Sequence, residues 1–282
     1  MIRVAVTGIN GFVGGLLFDC LSRRTDFAPV GLSTRPASPD RVRIADGIPQ
    51  GLEGAVNCIV HCGGLVGNGF SKAEYQYANV ECMENLVKWC EAAGVAHFIY
   101  CSSGAVYRAS DDWLHESFPV EPATDYARSK LQGEDILARS AIPVKTVLRL
   151  FFPYGPLKFN HLVSRLARTI AKEGQVSLND AAGKPWISPV YIGDVAAIVG
   201  QAVARKLAGI YNLSGPEKIS IKEIAATIFA FYGLAPRYVL TNTEVPNYLG
   251  SPDKIIGALR FSRLVSPVAG LQKVLQAGKD LD

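Results

Sequence analysis

The sequence predicts an α/β chain, built as a doubly wound parallel sheet with a smaller, mainly C-terminal lobe. Three observations point there. As far as Leu150, short apolar runs alternate with amphipathic helical segments, the order that builds strand–helix–strand units on a parallel sheet. Pro153, Tyr154, Gly155 and Pro156 then break the alternation. At roughly 150 residues per domain, 282 residues make about two domains.

The elements follow in order. Residues 2–7 are apolar and extended, and form the first strand. Residues 12–23 form a helix, because Val13, Leu16, Leu17 and Leu21 recur on one face. Residues 28–33 are a second strand, 42–45 a short third and 58–62 a fourth. Residues 76–93 form a long helix, with Val80, Met83, Leu86, Val87 and Cys90 at helical spacing and Gly94 as its stop. Residues 97–101 make the next strand. A helix over 125–140 takes Thr124 or Asp125 as its cap, and 144–150 is a further strand. Beyond the break, 162–172 and 221–232 read as helices and 210–213 as a strand. Pro236, Pro246, Pro252 and Pro267 punctuate the short apolar pieces of the C-terminal part. The expected division is one domain over 1–155, with contributions from about 187–213, and a lobe over 156–186 and 214–282.

Composition narrows the classes. Apolar residues at 49% and charged residues at 19% are those of an ordinary globular protein and exclude a solvated coil. The net charge of +4 is scattered, with no basic run longer than Arg23-Arg24. A nucleic-acid surface would cluster it, so no nucleic-acid partner is expected. No stretch approaches the ~18 apolar residues of a membrane span. The opening strand carries no cleavable signal pattern, and the expected location is cytoplasmic, without membrane attachment. Cys20, Cys58, Cys62, Cys82, Cys90 and Cys101 fit reduced thiols in that compartment. Cys58 and Cys62 have no second pair and the four histidines are far apart, so no metal site is expected.

Thr7-Gly8-Ile9-Asn10-Gly11-Phe12-Val13-Gly14 leaves a strand and opens a helix. This is the glycine turn of a Rossmann-type dinucleotide fold. Gly8 allows the tight turn, Gly11 the approach of backbone to a pyrophosphate, and Gly14 close packing of helix on sheet. The helix N-terminus then faces the anion. An NAD site wants an acid about 20 residues on, to hold the ribose 2′-hydroxyl. Ser33, Thr34 and Arg35 stand there instead. A guanidinium fork suits a 2′-phosphate, which favours NADP over NAD.

Tyr126 and Lys130 lie four residues apart in a helix and share a face. For a phenol to exchange protons near neutrality its pKa must fall by ~3 units, worth about 4 kcal/mol. A neighbouring ammonium and a cationic nicotinamide supply such a shift. Ser102 and Ser103 end the preceding strand, whose carboxyl end faces the ligand crevice of a doubly wound sheet.

These motifs resemble the extended short-chain dehydrogenase/reductases of the NAD-dependent epimerase/dehydratase type. Further matches are His61-Cys62-Gly63-Gly64, Asn79-Val80, Ser102 to Tyr107, Leu148-Arg149, Tyr154-Gly155-Pro156, Pro189 to Ala196, and Tyr211-Asn212-Leu213. The resemblance spans nearly the whole chain. It implies that Tyr126 is the acid/base, that Lys130 lowers its pKa and holds the nicotinamide ribose, and that Ser103 polarises the substrate oxygen. It implies that Asp46 contacts the adenine, that Cys62, Gly63 and Gly64 line the cofactor, and that Asn79 belongs to the same site. It also implies a substrate-binding role for the C-terminal lobe.

Departures from the family pattern narrow the chemistry. The 4,6-dehydratases follow the catalytic hydroxyl with Asp-Glu, where this chain has Gly104-Ala105. The 3,5-epimerising reductases carry Cys where Ala105 stands. Hydride transfer at a single carbinol or ketone carbon remains, in a 4-epimerase or 4-ketoreductase acting on a nucleotide sugar. Phe151-Phe152-Pro153 replaces a segment that holds Asn in many sugar-nucleotide members, and Ile187 stands where Arg is frequent. Lys158, Arg165, Lys184 and Arg260 remain as candidate phosphate contacts. The alternatives are an NADPH-dependent reductase of small non-sugar carbonyls and a non-catalytic dinucleotide sensor. Family epimerases usually retain NAD, in tension with Arg35. The apolar stripe of the 76–93 helix permits a homodimer and equally serves an internal core.

Overall fold

The computed structural model describes residues 1–34, 41–52, 55–67 and 69–279, the last without its side chain. In chain order, the first half comprises β1 (Ile2–Thr7), α1 (Phe12–Ser22), β2 (Phe27–Ser33), β3 (Arg41–Ala45), β4 (Ile48–Pro49), β5 (Cys58–His61), α2 (Lys72–Tyr75), a π-helical turn (Gln76–Glu81), α3 (Cys82–Ala92), β6 (His97–Ser103), β7 (Trp113–Leu114) and α4 (Asp125–Arg139). Then come β8 (Val144–Leu150), α5 (Leu162–Glu173), β9 (Val176–Leu178), β10 (Trp186–Ile187), α6 (Ile192–Arg205), β11 (Gly209–Leu213), β12 (Ile219–Ser220), α7 (Ile221–Tyr232), β13 (Tyr238–Leu240), β14 (Leu249–Gly250), α8 (Asp253–Leu259) and α9 (Pro267–Lys279).

The large sheet has eight strands in the order β11-β8-β6-β5-β1-β2-β3-β4. β1 pairs in parallel with β2 and β5, β5 with β6, and β2 with β3, while β4 runs antiparallel to β3. The chain grows outward from β1 first to one side and then to the other. The switch point therefore lies between β1 and β5, where doubly wound sheets open a ligand crevice beyond the strand ends.

The chain divides into two compact units. One comprises Met1–Arg108, Pro119–Arg149 and Ala196–Tyr211; the other comprises Ala109–Phe118, Leu150–Val195 and the chain from Asn212 onward. In the first unit, Met83, Leu86, Val87 and Cys90 of α3 pack with Ala5, Ile59, Phe98 and Tyr100 of the sheet. Each such side chain withdrawn from water stabilises by about 1.5–3 kcal/mol. The second unit has its own core, including Val163, Ala167 and Ile170 of α5, Ile224, Ile228 and Phe229 of α7, and Leu271 and Leu275 of α9.

Most elements follow the sequence periodicity, with three departures. The helix expected over 76–93 starts earlier, because Ser71 and Glu74 form a reciprocal capping box that begins a turn at Lys72. Its first part is a π turn containing Asn79. α6, which the sequence reading did not assign, is buried along most of its length, at Ile192, Val195, Ala196, Ile198, Val199, Ala202 and Val203. In α9 the proline expected as a break, Pro267, occupies the first helical position, where its missing N–H costs no hydrogen bond.

Candidate active site

β1 delivers the chain into the glycine turn. Gly8 sits at φ +70°, a conformation L side chains rarely adopt, and Gly11 N–H donates to its carbonyl at 2.8 Å. A Cβ on Gly8 would come within 2.7 Å of the Cys62 carbonyl, and one on Gly14 within 2.5 Å of the Gly8 oxygen. The turn is thus pressed against both the end of β5 and the first turn of α1. Gly11 caps α1 without a side-chain hydrogen bond. Thr7 ties the two strand ends together: its Oγ1 accepts from Cys62 N–H at 3.1 Å and Gly63 N–H at 3.0 Å. With both lone pairs used, the 2.7 Å contact to His61 Nδ1 is donated by the hydroxyl. Burial, with the charge of Lys130, holds His61 neutral and its pKa down to about 3.

The remaining loop residues are held by one another. Asn10 donates to Ser33 Oγ at 2.9 Å. Ser33 is buried at the end of β2, with Thr34 exposed beside it. Arg35 lies outside the described residues. Asp46 adopts φ +50°, accepts a hydrogen bond from the Tyr77 phenol, and receives Asn85 Nδ2 on its carbonyl at 2.8 Å. Asn79 pins the loop after β5: Oδ1 accepts from Leu65 N–H at 2.7 Å, and Nδ2 donates to the Leu65 carbonyl and to Ser129 Oγ. Gly64 is required at this contact, since a Cβ there would sit 2.5 Å from Asn79 Oδ1. Both amide hydrogens of Asn79 are therefore engaged in holding this loop against α4.

Beside the turn, β6 and α4 bring Ser103, Tyr126 and Lys130 together. Thr124 caps α4 by accepting from Ala127 N–H. Gly133 lets the helix approach β6, because a Cβ there would lie 2.4 Å from the Tyr100 hydroxyl. The Lys130 ammonium sits 4.4 Å above the Tyr100 ring, and the His61 ring stacks on the same tyrosine at 5.7 Å. Burial pulls the pKa of Lys130 down to about 8, opposed by the Cys101 and Cys62 thiols and by Glu134. Burial raises that of Tyr126, a hydrogen bond with Ser103 lowers it, and the nearby Tyr75 phenol raises it. The net effect keeps Tyr126 protonated at neutral pH, ready to donate. It becomes a base only when further positive charge is placed beside it.

A buried ion pair anchors α4 from below. Arg149 Nη2 meets Glu134 Oε2 at 2.6 Å, both side chains are 5% exposed, and Ser102 Oγ donates to Glu134 Oε1 at 2.5 Å. The Arg149 guanidinium also lies 4.7 Å from the Tyr107 ring centroid. Sequence reasoning missed Tyr100 and Glu134, and named Ser102 only as part of the strand end. The available signal was spacing: Glu134 follows Tyr126 and Lys130 at one further helical step of four residues, on the same inward face. His97 and His161, which show no partner in sequence, are structural: His97 Nε2 contacts Thr146 Oγ1 at 2.8 Å, and His161 caps α5.

In the second unit, a cavity of about 660 Å³ is lined by Asp111, Asn179, Asp180, Lys184, Asn242 and Glu244, among others. Ile187, by contrast, is fully buried in that unit's core. Among the described residues, no group of three or more His, Cys, Asp or Glu side chains is placed to share a metal ion. No helix among them is long and apolar enough to cross a membrane.

Residues 4–214 match the model of the NAD dependent epimerase/dehydratase family. The chain belongs to that family. Family membership fits the eight-stranded sheet and the glycine turn at its switch point. Among curated relatives, methionine adenosyltransferase 2 subunit beta of Bos taurus is 25% identical over 86% of this chain and 76% of its own length. An Escherichia coli O157:H7 protein, N-acetyl-alpha-D-glucosaminyl-diphospho-ditrans,octacis-undecaprenol 4-epimerase, is 24% identical over 80% of this chain and 71% of its own. The fold is shared with a UDP-glucuronic acid 4-epimerase from Bacillus cereus, solved with UDP-glucuronic acid and NAD, at a TM-score of 0.85, 20% identity and full coverage of both chains.

Proposed function

We propose that this family member is an NAD(P)-dependent epimerase or reductase acting at one carbinol or ketone carbon, C4 of a nucleotide sugar. The observation that carries this reading is the cluster of Ser103, Tyr126 and Lys130 at the carboxyl end of β6. Two 4-epimerases among the similar proteins support a diphosphate-linked sugar, one named for UDP-glucuronic acid and one for a sugar on a diphospho-undecaprenol. The first unit, in this reading, holds the dinucleotide and the second the substrate.

The residues fit a dinucleotide. Gly8 and Gly14 let the turn pack directly on the backbone beside it, where a Cβ would collide, and α1 begins without a side-chain cap, leaving its first N–H groups to an anion. Thr7, Gly8, Asn10, Gly11, Phe12, Val13 and Gly14 would cradle the pyrophosphate. Asp46, Cys62, Gly63 and Gly64 would line the adenine and nicotinamide halves, with Asn79 holding that loop in place. Ser33, Thr34 and Arg35 favour a 2′-phosphate, hence NADP. The dinucleotide, when bound, supplies the hydride acceptor and donor.

The chain's own residues move the proton. Tyr126 Oη takes it from the substrate hydroxyl during oxidation and returns it during reduction. Ser103 Oγ orients that oxygen and hydrogen-bonds the phenol. The Lys130 ammonium, added to the cofactor's positive charge, brings the phenol toward neutrality. Gly104 and Ala105 offer no carboxylate for water loss, so dehydration is not proposed.

Gly8→Ala should weaken dinucleotide binding at least about tenfold, or 1.4 kcal/mol, in a fluorescence titration. Its φ of +70° and the Cys62 carbonyl both oppose a side chain. An unchanged affinity would remove the turn from the site. The function itself is tested by denaturing the purified protein and identifying any released nucleotide by mass, then assaying UDP-sugars and simple carbonyls. Retained NAD with UDP-sugar epimerisation supports an epimerase and overturns the reading of Arg35. An empty site preferring NADPH supports a reductase. A second reading, a dinucleotide-binding subunit without turnover, is favoured by one observation: several relatives are named as a subunit of a transferase. Binding with no turnover on either substrate class would select it.

A further inference from the structure

Two thiols meet at the candidate cofactor cradle. Cys62 follows β5 and Cys101 lies in β6, and their sulfurs are 3.3 Å apart. The parallel register pairs His61 with Tyr100, so the next pair along the two strands is Cys62 with Cys101. Neighbouring strands run about 4.8 Å apart, inside the Cα separation of about 4.4–6.8 Å that a disulfide requires. Cys62 is partly exposed and Cys101 is buried behind it.

The position of the pair gives it leverage. Cys62 N–H donates to Thr7 Oγ1, and its carbonyl lies directly against Gly8, where an added Cβ would collide at 2.7 Å. The main chain of Cys62 thus forms the floor of the glycine turn. The hydrogen bond from Cys62 favours a thiolate at Cys101, as does the charge of Lys130 on the other side, while that bond and burial push the Cys62 thiol well up. A thiolate is the form that reacts with oxidants and disulfides.

We propose that Cys62 and Cys101 form a reversible disulfide when the protein meets a hydroperoxide, and that this cross-link closes the dinucleotide cradle. The Cys62 thiol passes its proton to the Cys101 thiolate along their hydrogen bond and attacks one peroxide oxygen; the O–O bond breaks, the alcohol or water leaves with a proton from solvent, and a sulfenic acid remains on Cys62. Cys101 sulfur then attacks Cys62 sulfur; the S–S bond forms, the S–O bond breaks, and water leaves with the Cys101 proton. Two thiols lose two electrons and two protons, and the peroxide is reduced to alcohol and water. The sulfurs close from 3.3 Å to about 2.05 Å, which drags the floor of the turn and removes the thiolate facing Lys130. The proposal goes beyond the assigned reaction and its first step does not depend on it.

The test exposes the full chain to hydrogen peroxide, alkylates free thiols, digests without reduction and maps the peptides by mass. NADPH and NADH are titrated before exposure, after it, and after dithiothreitol. The expected result is a Cys62–Cys101 linked peptide, a loss of affinity of about tenfold or more for the dinucleotide bound tighter, and recovery on reduction. In Cys101→Ser, which removes the resolving thiol, a dimedone adduct should accumulate on Cys62. Oxidation of exposed Cys20 with both Cys62 and Cys101 still alkylated would overturn the proposal. So would a linked peptide that leaves affinity unchanged. Reduced protein that binds neither dinucleotide would overturn the proposed function and the switch together, while the peptide map still decides the cross-link.

Discussion

Tyr126→Phe is expected to lower turnover by about 10²–10⁴-fold, the usual contribution of a positioned acid/base, while dinucleotide affinity stays within a few-fold. The phenol oxygen is the only atom removed, and Tyr126 keeps its ring contact with Tyr75 at 6.1 Å. The loss should appear in kcat, not KM, because the hydroxyl acts on the reacting oxygen. Turnover that survives within a few-fold would mean another group moves the proton. The same cluster sets a pH limit. Burial brings the pKa of Lys130 from 10.5 down to about 8. Its charge is complete well below pH 8 and is lost as pH rises through that value, so kcat should decline on the alkaline side. A bound dinucleotide and substrate shift the midpoint, and Lys130→Met should abolish that limb of the profile along with most of the activity.

Glu134→Ala is expected to destabilise the first unit by about 3–5 kcal/mol, because it leaves the Arg149 guanidinium buried and unpaired. At 5% exposure neither partner is rescued by water. Ser102 would lose its acceptor as well. Replacing both partners together, with leucine at 134 and methionine at 149, should recover much of the loss, since removing a whole buried pair is often close to neutral. Chemical denaturation read as a shift in midpoint at constant m-value would measure both. A single-variant cost below about 1 kcal/mol would show that the pair is solvated in solution and does not hold α4 to the sheet.

These two predictions draw on different kinds of information. Tyr126 and Lys130 could be singled out from four-residue spacing on a helix next to a strand ending in Ser103. The glycine turn was equally legible, because its strand–turn–helix context is local and glycine is the only residue that tolerates φ +70° against the Cys62 carbonyl. Helices with one wet face, such as α3, α4, α5 and α7, were readable from period. α6 was not assigned, although it too carries an apolar face.

What the sequence alone determined is therefore local: the alternation of strands and helices as far as Leu150, the turn that suits an anion, the residue types gathered at Ser103, Tyr126 and Lys130, and the family. What only the tertiary structure decided is how distant segments meet. Tyr100 lies thirty residues from Lys130 yet lies beneath its ammonium. Glu134 and Arg149 join α4 to β8, Asn79 reaches Ser129, and Cys62 faces Cys101 across two strands. Hydrophobic period reports which face of an element is buried. It carries no record of which other element lies against that face, and strand register and helix approach, set here by residues such as Gly133, supply that.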